Sequence, residues 1–296
     1  MSRFKDLWQR TKTGAVIVLT LCAGIYFQGW LLRLILLFCM IMCLKEMYFA
    51  FRKINSDPVR WAGYVYCVLA VLAQSFHAYM KRLSLFTAIS PPMFALVVGL
   101  LLAMTVIVLR GKVAFDSLAS TMFPMLYPGL FFSLILSLQD LDTRLASTLA
   151  LFLTFFLASI NDVFALLVGM TFGKHKLSPQ ISPKKTIEGA IGGVVASVIF
   201  SMLVPTVTYA IAPYFPKVSA QLAVTTYPPL WAFALYGFVA SIFSQIGDLV
   251  ASLIKRHCDI KDFGNLLPGH GGMMDRMDGI LFCGVISYAF FRLAGL

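Results

Sequence analysis

Charged side chains are scarce in this chain of 296 residues. Asp, Glu, Lys and Arg make up 12% of it, where about 25% is usual for a soluble domain. Mean hydropathy is +0.85 and 59% of the residues are hydrophobic, more apolar surface than a water-soluble globule can hide. The same numbers exclude a disordered or collagen-like chain. Cysteine is sparse as well. Cys22, Cys39, Cys43, Cys67, Cys258 and Cys283 form no CxxC pair, and all but Cys258 lie in apolar runs. They read as small buried hydrophobes and offer no framework for zinc or disulfides. Acid is the rarer charge, 13 residues against 24 Lys and Arg. In an apolar chain that excess marks cytoplasmic loops and anionic headgroups before it marks nucleic acid.

Several nucleotide and acyl-transfer motifs are missing too. Gly169 and Gly173-Lys174 are misspaced for GxxxxGK[ST] and are followed by His175, so there is no P-loop. No Gly-x-Ser-x-Gly elbow occurs. Asp278-Gly279 leads into Ile280-Leu281-Phe282, without the Ala-Arg that membrane CDP-alcohol phosphotransferases carry there. Long-period repeats, low-complexity tracts and a separate soluble domain are also lacking.

What remains is a succession of apolar runs. A spanning helix needs roughly 20 mainly apolar residues, and nine such runs can be drawn, at 13–30, 31–51, 61–80, 91–109, 119–138, 146–172, 189–211, 229–254 and 279–295. The expected fold class is therefore an all-α polytopic integral membrane protein with about nine transmembrane helices. The first two runs are continuous apart from Gln28-Gly29 and Arg33, which predicts a tight helical hairpin. The basic start, Arg3, Lys5, Arg10 and Lys12, mimics a signal peptide, but a second span follows at once, so it reads as an anchor. With the N-terminus cytoplasmic, segments 1–12, 52–60, 110–118, 173–188 and 255–278 face inward. With Lys45 they hold every Lys and Arg except Arg33, Lys81, Arg82, Arg144, Lys217 and Arg292. Residues 1–145 read as N-terminal transmembrane helices, nearly all lipid-adapted, with little that suggests chemistry and no role assigned, and 146–296 as the catalytic region. The segment 212–228, with Pro213, Pro216, Pro228 and Pro229, reads as a rigid outer loop.

Ionisable groups inside a span are costly and ask for a functional account. Asp162 follows Asn161 within an apolar run, and Asp248 lies near the inner end of the eighth. A packing hydrogen bond to a neighbouring helix is the plain alternative for either. Around them lie two polar segments. In the first, Ser182 is expected to cap a helix whose first residue is Pro183, with Lys184 and Lys185 in its first turn. Two cations there, against the helix dipole, suggest an awaited anion such as a polyphosphate, while an ordinary basic loop would look similar. The second runs from Gly247 to Asp278. If its helices extend far enough, Asp248, Ser252 and Lys255 share one face, as do Asp275 and Asp278. Gly264, Pro268, Gly269, Gly271 and Gly272 give a tight connection, and Lys255, Arg256, Lys261, His270 and Arg276 give positive charge. Carboxylates converging among bases are what a Mg²⁺–nucleotide site requires. His270 would be a base or a phosphate donor, while His257, Asp259 and Asp262 read as solvated loop residues.

The segment Ser252-x-Ile254-Lys255-Arg256-x₄-Lys261-Asp262-x-Gly264-x₂-Leu267-Pro268-x-His270-Gly271-Gly272-Met273-x-Asp275-Arg276-Met277-Asp278 resembles the signature of the phosphatidate cytidylyltransferase (CDP-diacylglycerol synthase) family. Ser182-Pro183-Lys184-Lys185-Thr186-x-Glu188-Gly189 and Asn161-Asp162 resemble that family too, with one departure at Leu166, where an aromatic residue is expected. The resemblance covers the C-terminal half; the N-terminal half matches in hydropathy alone. It implies a membrane enzyme that joins CTP to phosphatidic acid, giving CDP-diacylglycerol and pyrophosphate. It implies Mg²⁺, with a monovalent cation as a further candidate, and places metal ligands at Asp248 and Asp275, to which Asp162 and Asp278 are added. Lys184, Lys185, Lys255, Arg256 and Lys261 become phosphate contacts, with Thr186, Glu188 and Arg276 beside them and His270 in the catalytic set. Expected partners are the two substrates and membrane lipids, with a homodimer open and nucleic acid excluded. The expected location is a bacterial plasma membrane with the site facing the cytoplasm. Two competitors stand beside this reading: a CTP-dependent lipid-alcohol kinase, which would release CDP, and a transporter of an anionic solute, which would spread polar residues along several spans.

Overall fold

The computed structural model describes the chain apart from Met1 and residues 77–89, 112–114, 225–226 and 267–270, and apart from the side chains of 2–11, 13 and 224. Among the described residues the elements are α1 (Ser2–Phe27), α2 (Gly29–Lys53), α3 (Arg60–Ser75), α4 (Pro91–Leu109), α5 (Phe115–Pro124), α6 (Phe131–Ser137), α7 (Arg144–Phe172), β1 (Lys176–Ser178), β2 (Ser182–Thr186), α8 (Ile187–Ile211), α9 (Pro216–Val224), α10 (Leu230–His257) and α11 (Met274–Leu293). The nine apolar runs fall mostly on helix where they are described, with Gln28, Tyr127, Phe76, Pro229 and residues 294–295 outside helical geometry. Among the described residues, six stretches are long and apolar enough by length and composition to cross a membrane: Gly29–Lys53, Pro91–Leu109, Phe115–Asp140, Arg144–Phe172, Ile187–Tyr214 and Leu230–His257.

The chain divides into two units. The first comprises residues 1–137 and 254–277, the second 138–253 and 278–296. In the first, α1 gives way to α2 at the expected point, where Gln28 and Gly29 both take positive φ (53° and 59°). The aromatic core around Tyr48, Tyr66 and Phe132 is fully buried. Tyr48 donates to the Thr121 carbonyl at 3.1 Å and the Val59 N–H donates to Thr121 Oγ1 at 2.8 Å. Each such bond stabilises by about 1 kcal/mol and, more to the point, meets buried polar groups that would otherwise be costly to leave without partners. The fifth apolar run is a broken helix. Pro124 and Pro128 interrupt it, and Tyr127, the residue before Pro128, takes extended torsions (φ −129°, ψ 111°) because an αR residue would clash with the proline ring.

In the second unit, Thr143 caps α7 by accepting from the Ala146 N–H at 3.2 Å. Helices α10 and α11 pack through small residues: a Cβ on Gly247 would lie 2.6 Å from the Asp278 carbonyl oxygen, and one on Gly279 would lie 2.7 Å from Ser244 Oγ. Two local expectations are corrected. The segment 212–228 is not simply loop: Ala212–Tyr214 forms a 3₁₀ turn and Pro216–Val224 a helix. Proline sits near the start of each, where its missing N–H costs nothing. And Ser182 caps no helix. Residues Ser182–Thr186 pair antiparallel with Lys176–Ser178, and the cap moves to Thr186, whose Oγ1 accepts from the Gly189 N–H at 3.2 Å.

Candidate functional site

The hairpin sets the first cluster, within the second unit. Strand alternation turns Lys184 and Lys185 to opposite sides. Lys184 is exposed, while the Lys185 ammonium makes an ion pair with Asp248 Oδ2 on α10, the two side chains 27% and 28% exposed. A half-exposed carboxylate facing an ammonium is in a place where a metal ion and a phosphate would also be at home. Below it, Glu188 occupies the first turn of α8, where the helix dipole favours an acid. Its carboxylate accepts from the Lys174 and His175 N–H groups at 3.1 and 3.2 Å and contacts His175 Nδ1 at 2.7 Å. Thr186 and Glu188 therefore fasten both ends of the hairpin that carries the two lysines. Nearby, Gln245 Nε2 donates to Asn161 Oδ1 and to the Ala190 carbonyl, both at 3.0 Å, tying α7, α8 and α10 together. Asn161 is buried; Asp162 is exposed. Asp278 is 8% exposed and its Oδ1 accepts from the Gly279 N–H at 2.8 Å.

The second cluster lies within the first unit. Helix α10 runs to His257, far enough that Asp248, Ser252 and Lys255 share a face, and its last turn is basic, as a helix C-terminus favours. It stops at Asp259, which takes φ 49° while the Ile260 N–H returns to the Lys255 carbonyl at 2.9 Å. Asp259 is thus a helix stop, a position where Asp tolerates left-handed torsions. Lys255 Nζ then meets Asp275 Oδ1 at 2.8 Å, with side chains 15% and 6% exposed. Asp275 Oδ2 accepts from the Phe263 and Gly272 N–H groups at 2.9 and 3.1 Å. Three of the roughly four lone-pair positions on this carboxylate are engaged, so Asp275 closes the loop between α10 and α11 as well as neutralising Lys255. Arg256, Lys261 and Arg276 are exposed. His270 lies outside the described residues.

One participant is absent from the sequence reading. Glu46 on α2 is 8% exposed and its two oxygens accept from the Met273 and Met274 N–H groups at 2.9 and 2.8 Å. The signal was available: Glu46 is the sole acid between Asp6 and Asp57, inside an apolar run, and the rule that singled out Asp162 and Asp248 applies to it equally.

Among the described residues no group of three His, Cys, Asp or Glu side chains is placed to enclose a metal ion. The donors present still suit Mg²⁺, which is commonly bound through one or two carboxylates plus substrate phosphates rather than by an all-protein cage. Asp248 is the more accessible acid for that purpose, with the Lys185 ammonium paired to it.

A profile of the cytidylyltransferase family matches residues 8–294. Among curated proteins, the chain is 34% identical over 206 residues to a phosphatidate cytidylyltransferase of Bacillus subtilis, covering 70% of this chain and 69% of that one. It is 30% identical over 274 residues to a phosphatidate cytidylyltransferase of Staphylococcus haemolyticus, covering 92% and 94%. A chloroplastic phosphatidate cytidylyltransferase of Arabidopsis thaliana is 28% identical over an alignment that takes in all of this chain and 73% of that one.

Proposed function

The chain belongs to the cytidylyltransferase family and is a nucleotidyltransferase that converts CTP and phosphatidate to CDP-diacylglycerol and pyrophosphate, and we propose the following roles for its residues. A phosphate oxygen of phosphatidate attacks the α-phosphorus of CTP. A new P–O–P bond forms, the bond from the α-phosphorus to the β-bridging oxygen breaks, and pyrophosphate leaves with the electron pair. The nucleophile is already ionised, so no Ser or Cys intermediate is needed. The obstacle is the repulsion between an anion and a polyanion, which positive charge relieves.

Lys185 and Lys184 on the hairpin, and Lys255, Arg256, Lys261 and Arg276 in the signature segment, supply that charge. Thr186 and Glu188 hold the hairpin that presents the first pair. A divalent ion, Mg²⁺ on this reading, would be held by Asp248 and Asp275, with Asp162 and Asp278 as supporting acids, and would neutralise phosphate charge. The observation that carries the reading is that two carboxylates singled out by the sequence each sit against a lysine the sequence also singled out: Asp248 with Lys185, Asp275 with Lys255. Each acid is held by an ammonium that polyphosphate oxygens would attract.

Contacts within each unit support the proposed sidedness. In the first, Arg110 Nη1 reaches Asp57 Oδ2 at 3.5 Å, joining segments 52–60 and 110–118. In the second, Lys185 reaches Asp248, while the Leu145 N–H donates to Gln221 Oε1 at 2.7 Å, joining two segments assigned to the other face. The proposed arrangement is an N-terminus and catalytic segments on the cytoplasmic side of a plasma membrane. The deciding assay incubates purified protein in detergent with CTP, Mg²⁺ and phosphatidate. CDP-diacylglycerol and pyrophosphate are expected; release of CDP with a phosphorylated lipid would replace this chemistry with a kinase reaction.

A further inference from the structure

Helix α11 begins with no cap of its own. Its N-cap position is Met273, whose carbonyl accepts the first helical bonds from Arg276 and Met277 but whose side chain has no oxygen to offer the free N–H groups. Those groups are met from 227 residues away, by Glu46 of α2: Oε1 takes the Met273 N–H and Oε2 the Met274 N–H. The approach is close. A Cβ on Gly264 would lie 2.5 Å from Glu46 Oε1, and one on Gly272 would lie 2.6 Å from Oε2. These two glycines of the signature segment are therefore glycines because the Glu46 carboxylate passes against their backbones.

The same loop is gripped from its other side by Asp275, through the Phe263 and Gly272 N–H groups. Two carboxylates thus share one short stretch of backbone. Asp275 takes the N–H of 272, and Glu46 those of 273 and 274. Where Asp275 points, and with it the ammonium of Lys255, follows from where α11 starts, and Glu46 fixes that start. We infer that Glu46 is a positioning residue for cytidylyl transfer: a buried carboxylate from the N-terminal helices that caps the helix bearing Asp275 and sets the signature loop. This gives the otherwise featureless N-terminal half a part in the chemistry without contact with substrate. Its activity readout rests on the function proposed above; its conformational readout does not.

The test compares the parent with Glu46→Gln, full-length and monodisperse in detergent, by amide hydrogen exchange and by steady-state kinetics. Gln keeps the size but puts an NH₂ against one of the two N–H donors. Exchange over 271–276 and at Phe263 is expected to accelerate while peptides of α3 and α4 stay unchanged. The kcat should fall about 10- to 100-fold, the range for residues that orient a ligating group, with KM for phosphatidate little altered. Gly272→Ala, which displaces the carboxylate from the other direction, should reproduce both effects. Glu46→Asp, charged but one methylene short, should fall between parent and Gln, and it supplies the comparison if the Gln variant does not fold. Unchanged exchange at 271–276 would overturn the inference, as would acceleration spread evenly over the whole first unit. So would a kcat within about twofold of the parent while the loop is loosened. Should the parent show no cytidylyl transfer, the proposed function fails, and the exchange pattern still decides whether Glu46 holds the loop.

Discussion

At the scale of single residues, the two carboxylates named as metal ligands are built differently, and their variants should separate. Asp248 is 28% exposed and bound to one flexible lysine. Replacing it with Asn keeps its shape and removes the charge, so cytidylyl transfer should fall on the order of a thousandfold at saturating CTP while thermal unfolding in detergent stays put. Asp275 is 6% exposed and satisfies Lys255 and two backbone N–H groups. Asp275→Ala should therefore cost activity and also about 1–3 kcal/mol of stability, because it leaves buried donors unpaired. Asp259→Asn, at the left-handed stop of α10, should be silent in both measurements, since Asn accepts those torsions at least as well. An Asp248→Asn variant with near-normal turnover and an unchanged Mg²⁺ titration would remove that residue from the metal site.

At the scale of elements, the hairpin is where sequence and structure diverge, and the reason is physical. Ser-Pro followed by two lysines has the composition of a helix start, and nothing within Ser182–Thr186 announces a strand. What decides it is the pairing of Lys176 with Thr186 and Ser178 with Ser182, a contact between two short segments that no single-segment pattern reveals. Once the strand forms, Thr186 inherits the cap and Lys185 swings toward Asp248. The helix ends, by contrast, were legible. Gln28-Gly29 marked a break, and the signature helices extended far enough to align Asp248 with Lys255. Glu46 was legible in type but not in partner, because its hydrogen bonds span 227 and 228 residues. The hairpin geometry predicts a difference between adjacent lysines. Lys184→Ala and Lys185→Ala should both raise the apparent KM for CTP, but only Lys185→Ala releases Asp248 from its ammonium, so only it should shift the Mg²⁺ dependence. Identical Mg²⁺ curves for the two variants would mean that the ion pair plays no part in metal binding.

At the scale of the whole molecule, the spans came from hydropathy alone and the sidedness from the distribution of Lys and Arg, and each can be tested without reference to catalysis. The labelling background is favourable. Cys39, Cys43, Cys67, Cys258 and Cys283 are buried and only Cys22 is exposed; burial also pushes the Cys258 thiol up, away from the reactive thiolate. A Cys22→Ser background therefore leaves little for a reagent to find. Gln180, exposed at the hairpin turn, and Ser219, exposed on α9, lie in segments assigned to opposite faces. Ser219 is preferable to its neighbour Gln221, whose Oε1 holds the Leu145 N–H. In intact cells a membrane-impermeant thiol reagent should modify Ser219→Cys and spare Gln180→Cys, and permeabilisation should expose the second. CTP is a cytoplasmic nucleotide carrying several negative charges and does not cross a bilayer unaided, so the proposed roles of Lys184, Lys185 and the signature segment require the cytoplasmic orientation that this labelling tests. The reverse labelling pattern would invert every span at once and put Lys185 and Asp248 on the face that CTP does not reach.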